Sequence, residues 1–174
     1  MQRPARALHW LTALLLLIQF VLALTMPDVN DDTKPIGLIA WHLGIGMAIV
    51  FLAAIRVLWR SMNTVPPESV SLPMVLRILA GFTHSVLYAL LLVIPLMGWA
   101  NASSRGWAIT LLGAIPMPAL SPVGSPLGHA LGDWHATLAC VLLGLIGTHI
   151  VGALYHPLFL RDRTLNRMLP GLNE

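Results

Sequence analysis

Charged residues are scarce in this sequence. Asp, Glu, Lys and Arg together make up 10% of the 174 residues, against roughly 25% in an average soluble domain. A soluble chain of this length needs a polar surface, and there is too little polar material here to build one. An ordinary cytosolic enzyme and a disordered chain are both excluded on that ground. Cysteine is nearly missing as well. Cys140 is the only one, so no intrachain disulfide can form, and neither a Cys-x-x-Cys-His attachment nor a thiolate-held iron–sulfur cluster is possible. Cys140 lies in an apolar run and reads as a small core residue. There is no internal repeat, no low-complexity tract and no soluble domain. The net charge of +3 reads as a signal of orientation, and no nucleic-acid partner is expected.

What is there is hydrocarbon. Hydrophobic residues make up 57% of the chain, and the mean hydropathy is +0.79. A bilayer core of about 30 Å needs about 20 mostly apolar helical residues. Four stretches qualify, at about residues 7–26, 36–59, 78–100 and 131–154. Pro95 is expected to kink the end of the third. The first is long for a cleaved signal peptide, and His9-Trp10 at its start is foreign to one, so a retained helix is expected. The expectation is one integral membrane domain over residues 1–174, an all-α bundle of four transmembrane helices.

Positive charge orients it. Arg3, Arg6, Arg56, Arg60, Arg77, Arg161, Arg163 and Arg167 fall on one side. Lys34 and Arg105 fall on the other, with Asp28, Asp31, Asp32 and Asp133. The positive-inside rule puts both termini in the cytoplasm. Residues 62–75, with Pro66, Pro67 and Pro73, read as a polar cytoplasmic link. Residues 101–130 form the longest connection, on the outer side, and Trp107-Ala-Ile-Thr-Leu-Leu within it reads as an interfacial lid over the helix ends.

Histidine is the residue type out of place. An ionisable side chain inside a membrane helix is costly and points to function, although one alone is as readily an interhelical hydrogen bond. Six lie in the spans or at their ends: His9, His42, His84, His135, His149 and His156. His129 belongs to the outer loop. Direction sets depth. His42 and His135 fall near the outer face, and His9, His84 and His156 near the cytoplasmic face. His149 lies fourteen residues beyond His135, about 21 Å deeper and within about 40° of the same helix face.

Each layer can therefore offer two neutral imidazoles from different helices, which is what a six-coordinate b-type haem needs. The inner layer leaves open whether His9 or His84 pairs with His149. Zinc fits less well, because neither layer adds thiolates or acids at helix depth. Gly44, Gly46, Gly144 and Gly147 read as side-chain-free faces for a flat macrocycle, or as ordinary small-residue packing. Arg56, fourteen residues after His42, lies on the same face at the inner layer and reads as a propionate contact. A haem with two axial histidines suits electron transfer, and two of them make a path across the membrane. Quinone is the membrane's own two-electron carrier. His84 and His156, spare at the inner end, could hydrogen-bond its carbonyls and relay protons.

The ordered set of motifs resembles the bacterial diheme cytochrome b561 family, which includes superoxide oxidase. The matching pieces are Leu8-His9-Trp10, Trp41-His42-Leu-Gly-Ile-Gly with Arg56 and Arg60, and Thr83-His84 through Tyr88. They continue with Ile94-Pro95-Leu-Met-Gly98, Ser104-Arg105-Gly106, Asp133-Trp134-His135, His149, Tyr155-His156 and Arg-Asp-Arg-Thr-Leu at 161–165. They span nearly the whole chain. The resemblance implies a bundle enclosing two b-type haems, one held by His9 and His149 and the other by His42 and His135, with His84 and His156 at a ubiquinone pocket. It also implies a multi-pass protein of the bacterial inner membrane. In the superoxide oxidase branch, periplasmic superoxide is oxidised to dioxygen and electrons move inward to ubiquinone. The basic outer surface that would steer superoxide is thin here, with Lys34, Arg105 and His129 amid four aspartates. A cytochrome b subunit served by a periplasmic redox protein is the alternative.

Overall fold

The computed structural model describes residues 3–30, 32–63 and 74–155. His156, Arg161, Arg163, Arg167 and most of the link between the second and third spans lie outside the described residues. Four helices dominate: α1 (Arg3–Thr25), α2 (Leu38–Met62), α3 (Met74–Ser104) and α4 (Pro126–Tyr155). All four are long and apolar enough to cross a membrane. The outward surface is hydrocarbon, with Leu17, Leu24, Phe82 and Val151 each more than 60% exposed. That surface suits lipid, where the backbone is satisfied within each helix.

The helices follow one another around the bundle. Extensive packing joins α1 to α2, α2 to α3, and α3 to α4, whereas α4 has no comparable seam with α1 or α2. The second helix is the central one. In its most apolar window 44% of residues are buried, against 6% in α1 and α4. Between the two histidine layers the core is aliphatic: Ile45, Ile49 and Ala53 of α2 meet Leu91 of α3, with Leu15, Leu16 and Leu22 of α1 against them.

Helices α3 and α4 extend further at the outer end than hydropathy alone implies. Ser125 caps α4, its hydroxyl 3.2 Å from the Gly128 amide, and Pro126 occupies the first helical position, where a missing N–H costs nothing. At the end of α3, Gly106 takes a positive φ of 74°. The Gly106 amide bonds the Ser103 carbonyl and the Trp107 amide bonds the Ala102 carbonyl, a glycine-terminated helix end. Pro95 therefore lies well inside α3 and not at its end.

These longer ends zip together. Gly98, Asn101 and Ser104 on α3 face His135, Gly132 and Gly128 on antiparallel α4. The Gly128-x-x-x-Gly132 spacing lets the backbones approach closely. The connection between α3 and α4 carries two short strands. It forms a two-stranded antiparallel hairpin, β1 (Thr110–Leu111) with β2 (Ile115–Pro116), laid against α2. Its Ile109 joins Met47 and Ala102 in a second small core, under Trp99 and Trp107.

Cys140 is exposed, which corrects the expectation that it fills the core. Its position is about 140° around α4 from His135, so the packing against α3 leaves it on the outward face.

Candidate functional site

The gap between α4 and its partners α1 and α2 is bridged by histidines. At the end of the bundle where α2 begins, in the layer expected to be the outer one, His42 of α2 and His135 of α4 have ring centroids 6.0 Å apart. At the opposite end, in the layer expected to be the inner one, His9 of α1 and His149 of α4 are 6.4 Å apart. In both pairs the rings are turned across each other, at 79° and 61°, and are not stacked. An imidazole nitrogen binds a metal at about 2 Å, so two rings sharing one ion from opposite sides have centres roughly 6 Å apart. Both pairs meet that condition. Among the described residues no group of three or more His, Cys, Asp or Glu could hold a metal ion. A structural zinc site would need such a group.

His42 and His135 are held by different means. A carbonyl oxygen only accepts, so His135 Nδ1 donates to the Ile94 carbonyl, at 2.8 Å. Metal-bound imidazoles are ordinarily fixed by such a bond. The ring of His42 keeps a buried nitrogen, Nδ1, without a partner, while its main chain is anchored: Gln19 of α1 donates from Nε2 to the His42 carbonyl at 3.0 Å. Gly46 makes room for that amide, since a Cβ there would come within 3.3 Å of Gln19 Nε2.

Around the inner pair the chemistry is richer. The His84 ring lies 5.2 Å from His149, closer than one ion held from opposite sides would leave it. Its Nδ1 donates to the Ala80 carbonyl of its own helix at 2.8 Å, leaving Nε2 free to exchange a proton with another molecule. Arg56 reaches both His9 Nδ1, at 3.4 Å, and the Tyr88 hydroxyl, at 3.3 Å. Its guanidinium lies 5.1 Å from the centre of the Tyr88 ring, and that of Arg60 lies 5.8 Å from it.

The structure thus brings together His42 with His135, and His9, His84 and Arg56 with His149. His156 is not described, and His129 is exposed away from both layers. The glycines divide. Gly44 lies under the hairpin backbone, where a Cβ would meet Leu112 N and Thr110 O at 3.4 Å, and Gly46 serves Gln19. Gly144 and Gly147 have nothing within 4 Å of an added Cβ and lie far around α4 from the histidines, about 140° and 160° from His149. None of the four is a cleared face between the paired rings.

Sequence reasoning missed Gln19 and Gly98. A lone glutamine in an apolar span was a usable signal for the first. Gly98 stood only as a piece of a motif, although an added Cβ there would lie 2.9 Å from His135 Cε1 and Nδ1.

The sequence profile of the family described as prokaryotic cytochrome b561 matches residues 1–171. The chain belongs to that family. It is 31% identical over 168 residues to a protein of Yersinia pestis named probable superoxide oxidase CybB, covering 94% of this chain and 92% of that one. It is 32% identical over 171 residues to cytochrome b561 homolog 2 of Escherichia coli K12, covering 94% and 87%. It is 29% identical over 168 residues to a Cereibacter sphaeroides protein named cytochrome b562, covering 93% and 90%. This cytochrome b561 is therefore a multi-pass membrane electron-transfer protein, and its family implies b-type haem. Paired imidazoles about 6 Å apart fit such a group, and α4 stands off from α1 and α2 where it would lie.

Proposed function

We propose that this cytochrome b561 is a two-haem oxidoreductase of the bacterial inner membrane, with both termini cytoplasmic. It takes electrons from superoxide on the periplasmic side and delivers them to ubiquinone on the cytoplasmic side. The reaction balances: two superoxide anions give two dioxygen molecules and two electrons, and ubiquinone takes up two electrons and two protons. The observation that carries this reading is the two-layer histidine pairing, at 6.0 Å and 6.4 Å.

A haem held by two imidazoles supplies outer-sphere one-electron transfer, with no open position at iron. His42 and His135 hold the outer group, and His9 and His149 the inner one. Arg56 now donates to His9 Nδ1. A propionate is the stronger acceptor for a guanidinium. With Arg56 engaged by a propionate, His9 Nδ1 would be released to carry the imidazole proton and Nε2 would carry the lone pair. His84 is the proton-exchanging residue for ubiquinone, with His156 as its companion at the same end of the chain's membrane path.

His84→Ala tests this role. Haem content and spectrum should stay at wild-type values, while quinone reduction falls about 100-fold, within the range of a lost acid–base group. Unchanged quinone reduction in both His84→Ala and His156→Ala rules the assignment out.

The partner-dependent reading is favoured by one feature of the outer face. Arg105 is already engaged, 3.3 Å from the Asn30 carbonyl and 5.6 Å from the Trp107 ring centre, and Asp28, Asp32 and Asp133 are exposed. That surface does little to steer an anion. Reduction of the purified protein by superoxide alone supports the free-standing enzyme. Reduction only by an added periplasmic redox protein supports the subunit.

A further inference from the structure

Gly98 lies one turn beyond Ile94 on α3, directly against the ring of His135. We infer that Gly98 is a positioning residue: its missing side chain lets the His135 imidazole lie over the Ile94 carbonyl, which fixes the tautomer an iron ligand needs. The inference rests on the two-haem reading.

Four distances carry it. His135 Nδ1 is 2.8 Å from the Ile94 oxygen. A Cβ on residue 98 would be 2.9 Å from both Nδ1 and Cε1 of the same ring, and 3.6 Å from Cγ. The bond and the cleared space are thus the same piece of geometry, because the ring edge that reaches the carbonyl is the edge a side chain at 98 would strike. The obstacle could not swing aside, since a Cβ has no rotamer. The imidazole would have to move. It is also confined on its own helix, because the register of α4 on α3 is set one and two turns away by Gly132 against Asn101 and Gly128 against Ser104.

The chemical consequence follows from the acceptor. A carbonyl oxygen has no proton to give, so His135 Nδ1 must carry one. The neutral ring then holds its lone pair on Nε2, the only nitrogen left for a metal. The same bond raises the basicity of the ligand. His42 has no such bond at Nδ1, so the tautomer lock of the outer centre lies on the α4 side.

Gly98→Ala in the purified, haem-loaded protein is the test. Haem per chain and the midpoint potential and low-spin spectrum of each haem are the readouts. Outer-shell changes of this kind lower metal-centre affinity about 10–100-fold. The expected result is selective: the outer haem is lost from a large share of molecules, or is retained at a raised potential with an altered low-spin spectrum, while the inner haem is unchanged. Gly81→Ala is the control for adding a methyl group to the same helix, because nothing lies within 4 Å of a Cβ there, and it should leave both haems as in the wild type. Two unperturbed haems in Gly98→Ala would overturn the inference, as would equal loss of both, which marks a glycine needed only for folding. A wild-type protein without two haems would instead refute the reading beneath it.

Discussion

Replacing His149 with alanine should leave one b-type haem per chain in place of two. His149 is the described histidine of α4 that meets the inner layer's other histidines, with His9 at 6.4 Å and His84 at 5.2 Å. Its loss leaves no imidazole on the α4 side of that site among the described residues. The penalty should exceed the roughly 100-fold that second-shell changes cost a metal centre, and quinone reduction should stop. The partner on the far side can be read from two further variants. His9→Ala should reproduce the loss, because His9 sits across the gap from His149 on a helix that α4 does not pack against. His84→Ala should retain both haems. The reverse pattern would make His84 the ligand and His9 the spare group. Pyridine haemochrome counts on the three purified variants decide between these assignments.

Gly128→Ala should cause the largest loss of stability among substitutions that touch no histidine. A Cβ at this position would lie 2.5 Å from Ser104 Cβ, 2.7 Å from Ser121 Oγ and 2.9 Å from Ser104 Oγ. Ser104 is 1% exposed and has nowhere to go. Overpacking of this kind costs about 1–3 kcal/mol, and here the backbones of α3 and α4 must part to relieve it. Since α3 provides the one extensive seam that α4 has, the histidine-bearing face of α4 moves with them. Gly144→Ala, on the outward face with nothing within 4 Å of an added Cβ, should instead be neutral or stabilising by up to about 1 kcal/mol through helix propensity. Thermal unfolding of both variants in the same detergent checks the contrast. Equal melting temperatures would mean that the α3–α4 seam is looser than these distances imply.

Much of this was legible in the sequence, for reasons that differ by residue. Span existence follows from hydropathy, because lipid demands long apolar helices. The two histidine layers were legible because chain direction sets the depth of His42 and His135, and the fourteen residues from His135 to His149 bring α4 back to nearly the same face. The choice between His9 and His84 was not. Both enter the inner layer from the cytoplasmic side, and only packing order separates them. Helix ends were misjudged where capping outweighs hydropathy: Ser125-Pro126 starts α4 and Gly106 ends α3, in stretches too polar to enter an apolar window. The hairpin at Thr110–Leu111 and Ile115–Pro116 is held by contacts with α2 that no local pattern encodes. Gly98 matters through a neighbour 37 positions away in the chain, a distance no periodicity can reach.

The most direct test of the account is the visible spectrum of the dithionite-reduced, purified protein, with iron porphyrin counted against polypeptide. Two low-spin b-type haems per 18.9 kDa chain are expected. A colourless protein expressed with ample haem, or a single haem bound at only one of the two histidine layers, would contradict it.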